Sequence, residues 1–184
     1  HQEYGVRQLL VEHTHFNDPE KREHIRRLLI RAAQQKTIPI VNYNDPVSDE
    51  ENRKMELAIR RSHGDQVVEC VDNDETAAVI ANLVHAKKLV LMTSTEGIYR
   101  DPADPKTLVE QVTAKSMEEL EEKVRQLQES CVGASRAGAN GAKAKLEYAL
   151  KSARQGTMVI IGHARHRLSD LVEGRVACTR IGLE

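Results

Sequence analysis

Tryptophan is absent from this sequence of 184 residues, and one Phe and four Tyr hold the aromatic share to 3%. Base-stacking surfaces are built from aromatic side chains, so this composition argues against a single-stranded nucleic-acid binder. An excess of one charge is missing too: 27 Lys and Arg face 28 Asp and Glu, for a net charge of -1. No global basic field is present to draw the chain onto a phosphate backbone. Cys70, Cys131 and Cys178 are few, odd in number and far apart, with no C-x-x-C pair. That excludes a disulfide framework or zinc ribbon as a first reading and fits a reducing compartment. No apolar run approaches the ~20 residues that cross a bilayer, and no signal-peptide pattern opens the sequence. The expectation is a cytoplasmic protein with a small-molecule partner, without nucleic acid or membrane. The length suits a single domain over residues 1–184, and no repeat or interdomain linker interrupts it.

What is present is alternation. "VRQLLVEH" reads as a strand, followed by a charged helix from about Asp18 to Gln35 with Leu28, Leu29, Ala32 and Ala33 on its apolar side. "TIPIVN" is short, β-branched and nearly continuous, as a buried parallel strand should be, and "QVVECV" is a further short strand. Residues 73–85 have helical spacing with Ala77, Ile80, Ala81 and Val84 on one face. "KLVLMT" is the next strand, and "STEGIYRDPADP" is an irregular loop enforced by two Asp-Pro pairs. Met117, Leu120, Val124 and Leu127 mark an amphipathic helix; Ala142, Leu146, Ala149, Leu150 and Ala153 mark another, with Gly156 as its stop. "TMVIIG" is the last long strand, with a weaker one near "VACTRIG". Strand and helix in this order predict an α/β protein, a largely parallel sheet between helix layers.

Ligands of open parallel α/β sheets bind beyond the carboxyl ends of the strands. Polar residues collect there: Asn42, Tyr43, Asn44 and Asp45 after one strand, Asp72, Asn73 and Asp74 after another, Thr93, Ser94 and Thr95 after a third. Each cluster also has a plainer account. "NYNDP" is good turn chemistry, and "DNDE" is a good helix start, with Asp72 or Asn73 as N-cap and acids in the first turn. "GANGAKAKL" places Lys143 and Lys145 at a helix start, where negative charge is favoured; it is either a loop with solvated lysines or a phosphate cradle of glycines, backbone N–H groups and a mobile cation. The usual P-loop pattern does not occur. His13 and His15, read on one strand face, and His163 and His166, three apart, could each supply two metal ligands, but both pairs are read as surface or edge histidines.

Taken in order, "PIVNYND", "DNDETAAVIANLVHAKKLVLMTSTEGIYRDPADP", "GANGAKAKLEYAL" and "MVIIG" resemble the amino acid kinase family over nearly the whole sequence. The resemblance is strongest to the branch that phosphorylates L-glutamate at the opening of proline biosynthesis. It implies a three-layer αβα sandwich that moves the γ-phosphoryl group of ATP, with Mg²⁺, to a side-chain carboxylate. By the same match, Asn42, Asp45 and Asn73 would hold the amino acid and Asp74 would orient the active-site lysine, Lys145. Thr93, Ser94, Gly138, Ala139, Asn140, Gly141, Ala142, Lys143 and Lys145 would line the nucleotide. Family members often form homo-oligomers, a property this sequence does not itself display.

The sequence departs from the pattern at Tyr43, which replaces an acid, at Ser94, which replaces an aspartate, and at Ala139 and Asn140, which replace Thr and Gly. The family's opening strand and Lys-x-Gly-Ser turn are not found, and residues 1–184 alone are expected to show little or no kinase activity. Two other readings stand beside the first: a sibling enzyme acting on acetylglutamate or a nucleoside monophosphate, and a nucleotide-binding module without catalysis.

Overall fold

A helix between two parallel strands must carry the chain back along the sheet, and the first 43 residues do this. The computed structural model describes residues 3–43, 58–59, 61–62, 67–68, 73–101, 103–130 and 141–184. The chain divides into two compact units, His1–Thr76 and Ala77–Glu184.

In the first unit, β1 (Gly5–Val11) and β2 (Thr37–Tyr43) pair in parallel, from Gly5 opposite Thr37 to Val11 opposite Tyr43. A one-turn helix α1 (His13–Asn17) and the long α2 (Pro19–Gln34) connect them. Asp18 starts α2 as expected: its Oδ1 accepts from the amides of Glu20 and Lys21 at 2.9 and 3.1 Å, with Pro19 in the first turn. The buried stripe of α2 is Ile25, Leu29 and Ala32, whereas Ala33 is exposed and Leu28 only half-buried. An i, i+4, i+7 stripe lies on one side of a 3.6-residue helix, and Ala33 is a further 100° around.

Two expectations fail here. His13 and His15 lie in α1, not on a strand; the Glu12 amide donates to His15 Nδ1 at 3.0 Å in a capping box that starts the helix. The second strand is also not buried on both faces: Ile38 and Ile40 are each 52% exposed. Thr37, Pro39, Val41 and Tyr43 alternate with them and are the more covered set.

The second unit is a four-stranded sheet in the order β3 (Lys88–Thr93), β5 (Met158–His163), β6 (Thr179–Leu183), β4 (Gln111–Ala114). β3 is parallel to β5 and β4 to β6, while β5 and β6 run antiparallel. Helix α3 (Asn73–Leu83) crosses the border between the units; α4 (Met117–Ser130), α5 (Ala142–Ala153) and α6 (Leu168–Glu173) come after it.

One sheet face, with Leu91, Val112, Ala114, Val159, Ile161 and Ile181, packs on Leu120, Val124 and Leu127 of α4 and on Leu146, Ala149, Leu150 and Ala153 of α5. The other face brings Ile160 and Cys178 against Leu171 of α6. The result is helix, sheet, helix, and the chain is an α/β protein with one parallel and one mixed sheet and six α-helices among the described residues. The expected stop Gly156 has φ 81°, a left-handed angle that favours glycine. Three elements go beyond the sequence-based expectation: α1, α6 and the four-residue β4. The segment "QVVECV" lies almost wholly outside the described residues.

The loop after β3 is tied down by Thr179, fully buried, whose Oγ1 accepts from the Ile98 amide at 2.8 Å and donates to the Val109 carbonyl at 2.7 Å. Thr179→Val keeps the shape and removes both bonds, leaving a buried N–H and C=O unpaired. It should cost about 1–3 kcal/mol, read as a lower denaturant midpoint with unchanged slope. A second expectation concerns α2. Hydrogen bonds from Arg26 and then Arg27 bring the Glu23 carboxyl from 4.5 to about 2. A depressed carboxyl stabilises the folded state above its ordinary range and loses that contribution as pH falls through the folded value. Carbon-detected titration should therefore find Glu23 still charged at pH 3, and Arg26→Gln should raise its midpoint.

Candidate functional site

In the second unit, topology decides which predicted residues share an end. α5 feeds β5 through a short turn closed by Gly156, so the helix runs antiparallel to the strand it precedes and packs on. A 12-residue helix spans about 18 Å, close to the length of the six-residue β5. The start of α5 therefore lies at the carboxyl end of β5, and parallel pairing places Thr93, the last residue of β3, opposite His163, the last of β5. Thr93, Ser94, Gly141, Ala142, Lys143 and Lys145 are thus gathered at one end of this unit.

The start of α5 is unlike the other described helix starts. α1 has its capping box, α2 has Asp18, and α3, α4 and α6 each have acids in the first turn. Gly141 caps α5 with no side chain, and its first turn has no acid; that turn carries Lys143, exposed, and Lys145, half-buried. The amides of Ala144 and Lys145 return to the Gly141 carbonyl at 3.1 and 3.2 Å, and Gln128 Nε2 donates to the Lys143 carbonyl at 3.0 Å. The dipole and the exposed Lys143 have the same sign, which is unfavourable within the helix and would be offset by an anion beside it.

In the first unit, Asn42 is exposed near the end of β2, opposite Leu10. Asn73 and Asp74 open α3, Asn73 exposed and Asp74 half-buried, with Glu75 adding a second acid to the first turn. Asn17 escapes sequence reading: its side-chain amide donates to the Val68 carbonyl at 2.8 Å and accepts from the Val68 amide at 2.9 Å, tying Val68 to α1. A contact between residues 51 positions apart leaves no local signal. Asp45, Gly138, Ala139 and Asn140 lie outside the described residues.

Two further features bear on the site. A cavity of about 320 Å³ is lined by Glu110, Gln111, Gly174, Arg175, Cys178 and Arg180, among others, and by none of the predicted residues. Its arginines are engaged, Arg175 with Asp170 and Glu173, Arg180 with the carbonyls of Leu171 and Val172, so they read as caps of α6. Among the described residues no cluster of three or more His, Cys, Asp or Glu could hold a metal, and no helix is long and apolar enough to cross a membrane.

The profile described as the amino acid kinase family matches residues 2–163. Curated relatives include the glutamate 5-kinase of Geobacillus kaustophilus (strain HTA426), 30% identical over 183 residues, 98% of this chain and 43% of the relative. That of Chromobacterium violaceum is 28% identical over 97% of this chain and 44% of the relative. A glutamate 5-kinase 2 of Pseudoalteromonas translucida is 29% identical over 86% of this chain and 38% of its own length. The chain spans less than half the length of these relatives.

If Lys143 serves an anion and not its helix, reversing its charge should help the helix. Lys143→Glu should raise stability by about 0.3–1 kcal/mol at low salt, an effect that fades as salt rises. Thermal melting checks it; a lower melting temperature would show that the lysine supports the fold.

Proposed function

The chain belongs to the amino acid kinase family, and from that premise we propose that it takes part in transferring the γ-phosphoryl group of ATP to the side-chain carboxylate of L-glutamate. The observation that carries this is the start of α5, a helix N-terminus without a side-chain cap or first-turn acid and with two lysines, at the end of the sheet where Thr93 and Ser94 emerge.

In the proposed step a carboxylate oxygen bonds to the γ-phosphorus, the bond to the β-phosphate oxygen breaks, and ADP departs with the electron pair, leaving an acyl phosphate. Such transfer asks the protein mainly for positioning and for stabilising charge on the transferred group and leaving oxygen. Backbone N–H groups at the start of α5 suit the phosphates as fixed donors, and Lys145 suits them as a charge on a flexible stem. Mg²⁺, when bound with the nucleotide, would neutralise further phosphate charge. Asn42, Asp45 and Asn73 are proposed to hold the amino acid, and Asp74 to act in the role the resemblance gives it. The relatives named glutamate 5-kinase support this acceptor over a nucleoside monophosphate or acetylglutamate.

A second reading, nucleotide binding without catalysis, is favoured by Ser94, exposed just past the end of β3, where by the resemblance the family has an aspartate. Coupled ADP release from the full-length protein with glutamate, acetylglutamate and nucleoside monophosphates as acceptors separates these readings. Glutamate should give the largest response, and Lys145→Ala should lower kcat by about 10²-fold or more. Silence with every acceptor, alongside measurable MgATP binding, would select the second reading.

A further inference from the structure

Past the end of β3 the chain must turn, and both flanks of the turn are anchored. On one side, the Ala164 amide donates to the Thr93 carbonyl at 2.8 Å, extending the β3–β5 pairing by one bond. On the other, the Ile98 amide is held by Thr179 Oγ1, and Gly97 lies so close to Thr179 that a Cβ would come within 2.9 Å of its backbone nitrogen. Glu96 sits between these anchors.

Its carboxylate does not face bulk water. Oε2 is 2.6 Å from His166 Nε2, and Oε1 accepts from the Arg165 guanidinium. The Glu96 and His166 side chains are only 17% and 20% exposed, whereas Arg165 is 63% exposed. The receiving turn is itself ordered: the Arg165 amide donates to His163 Nδ1 at 3.0 Å, the His166 amide to the His163 carbonyl at 3.1 Å, and the two imidazoles meet edge to face. A carboxylate 69 and 70 residues from its partners thus bridges the turns that end β3 and β5.

The lysine-bearing start of α5 lies at this same end. A lone carboxylate two residues beyond Ser94 would repel phosphate there. Held by Arg165 and His166, its charge is offset and its place is fixed.

Resting on the kinase reading above, we propose that Glu96 is a positioning residue for the nucleotide. It clamps the β3 turn onto the β5 turn and so sets where Thr93 and Ser94 stand relative to the phosphate-facing helix start. The clamp acts through geometry, not through charge presented to the ligand.

Geometry and charge predict opposite signs. Removing the Glu96 charge releases Arg165 and His166, and charge alone would make MgATP bind more tightly. Loss of the clamp makes it bind more weakly.

The test uses the full chain with Glu96→Gln and Glu96→Ala, melting temperatures being recorded for each. Without ligand, hydrogen exchange at the Ala164 amide should quicken about tenfold in Glu96→Ala, while the Ile160 amide in the middle of β5 keeps its rate. Equal exchange at Ala164 would overturn the clamp. With MgATP as titrant, Glu96→Gln should raise the dissociation constant about five- to tenfold; unchanged or tighter binding would overturn the positioning role. Wild type that binds no MgATP would defeat the kinase reading and the positioning role with it, and the exchange ratio would then show the bridge as a structural tie alone.

Discussion

The second unit depends on β5. It is hydrogen-bonded along both edges, parallel to β3 and antiparallel to β6, and Val159, Ile160 and Ile161 are fully buried with consecutive side chains on opposite faces. Each such side chain contributes about 1.5–3 kcal/mol on burial, and together they fix the plane on which α5 and α6 rest. The same strand also fixes direction. Because α5 returns into β5 through one tight turn, the start of the helix has no choice of end: it meets the carboxyl ends of β3 and β5. The proposed phosphate end is therefore a consequence of strand burial and chain direction.

Surface charges divide into two kinds. Some pair within helices: Glu23 with Arg26 and Arg27 on α2, Glu119 with Lys123 and Glu122 with Arg125 on α4. Arg154 at the end of α5 reaches Glu121 of α4 at 2.9 Å. Exposed pairs of this sort contribute about 0–1 kcal/mol each, so a sequence that is 30% charged gains mainly solvation from them. The first turn of α5 breaks the pattern. The other described helix starts have a capping side chain or an acid, and this one has two cations and a glycine. Its internal cost is under about 1 kcal/mol, small enough to be tolerated where an anion offsets it.

How much of this is legible in the sequence depends on the range of each interaction. The buried side of α5, from Ala142 to Ala153, the bounds of β3 and the stop at Gly156 are readable, because periodicity and punctuation are local. β4 is not: four residues are too few to show a period, and "QVTA" becomes a strand by pairing with β6, some seventy residues later in the chain. α1 is misread because alternation of His13 and His15 fits a strand of period two as well as a single helical turn fixed by Glu12. The exposure of Ile38 and Ile40 is unreadable, since a β-branched run reports strand propensity and not whether a layer covers it. The lysines of α5 and the polar residues at the ends of β2 and β3 are legible as candidates, because ligands gather at the carboxyl ends of parallel strands. Glu96 is hidden inside a loop whose Asp-Pro pairs dominate the local pattern, and its partners lie on another strand's turn.

The pairing of Glu96 changes how the Ser94 departure is weighed. By the resemblance Ser94 replaces an aspartate; at this end Lys143 is exposed in the first turn of α5 and Arg165 is paired with Glu96. Positive charge beside a helix N-terminus favours an anion there. Such an end is well made for holding an anion. Catalysis asks for more, because only interactions that strengthen as the phosphoryl group moves lower the barrier. In the proposal, a turn with its carboxylate already paired serves the first demand. Whether it meets the second rests on Lys145, whose flexible stem is the part of this end able to follow charge from ground state to transition state.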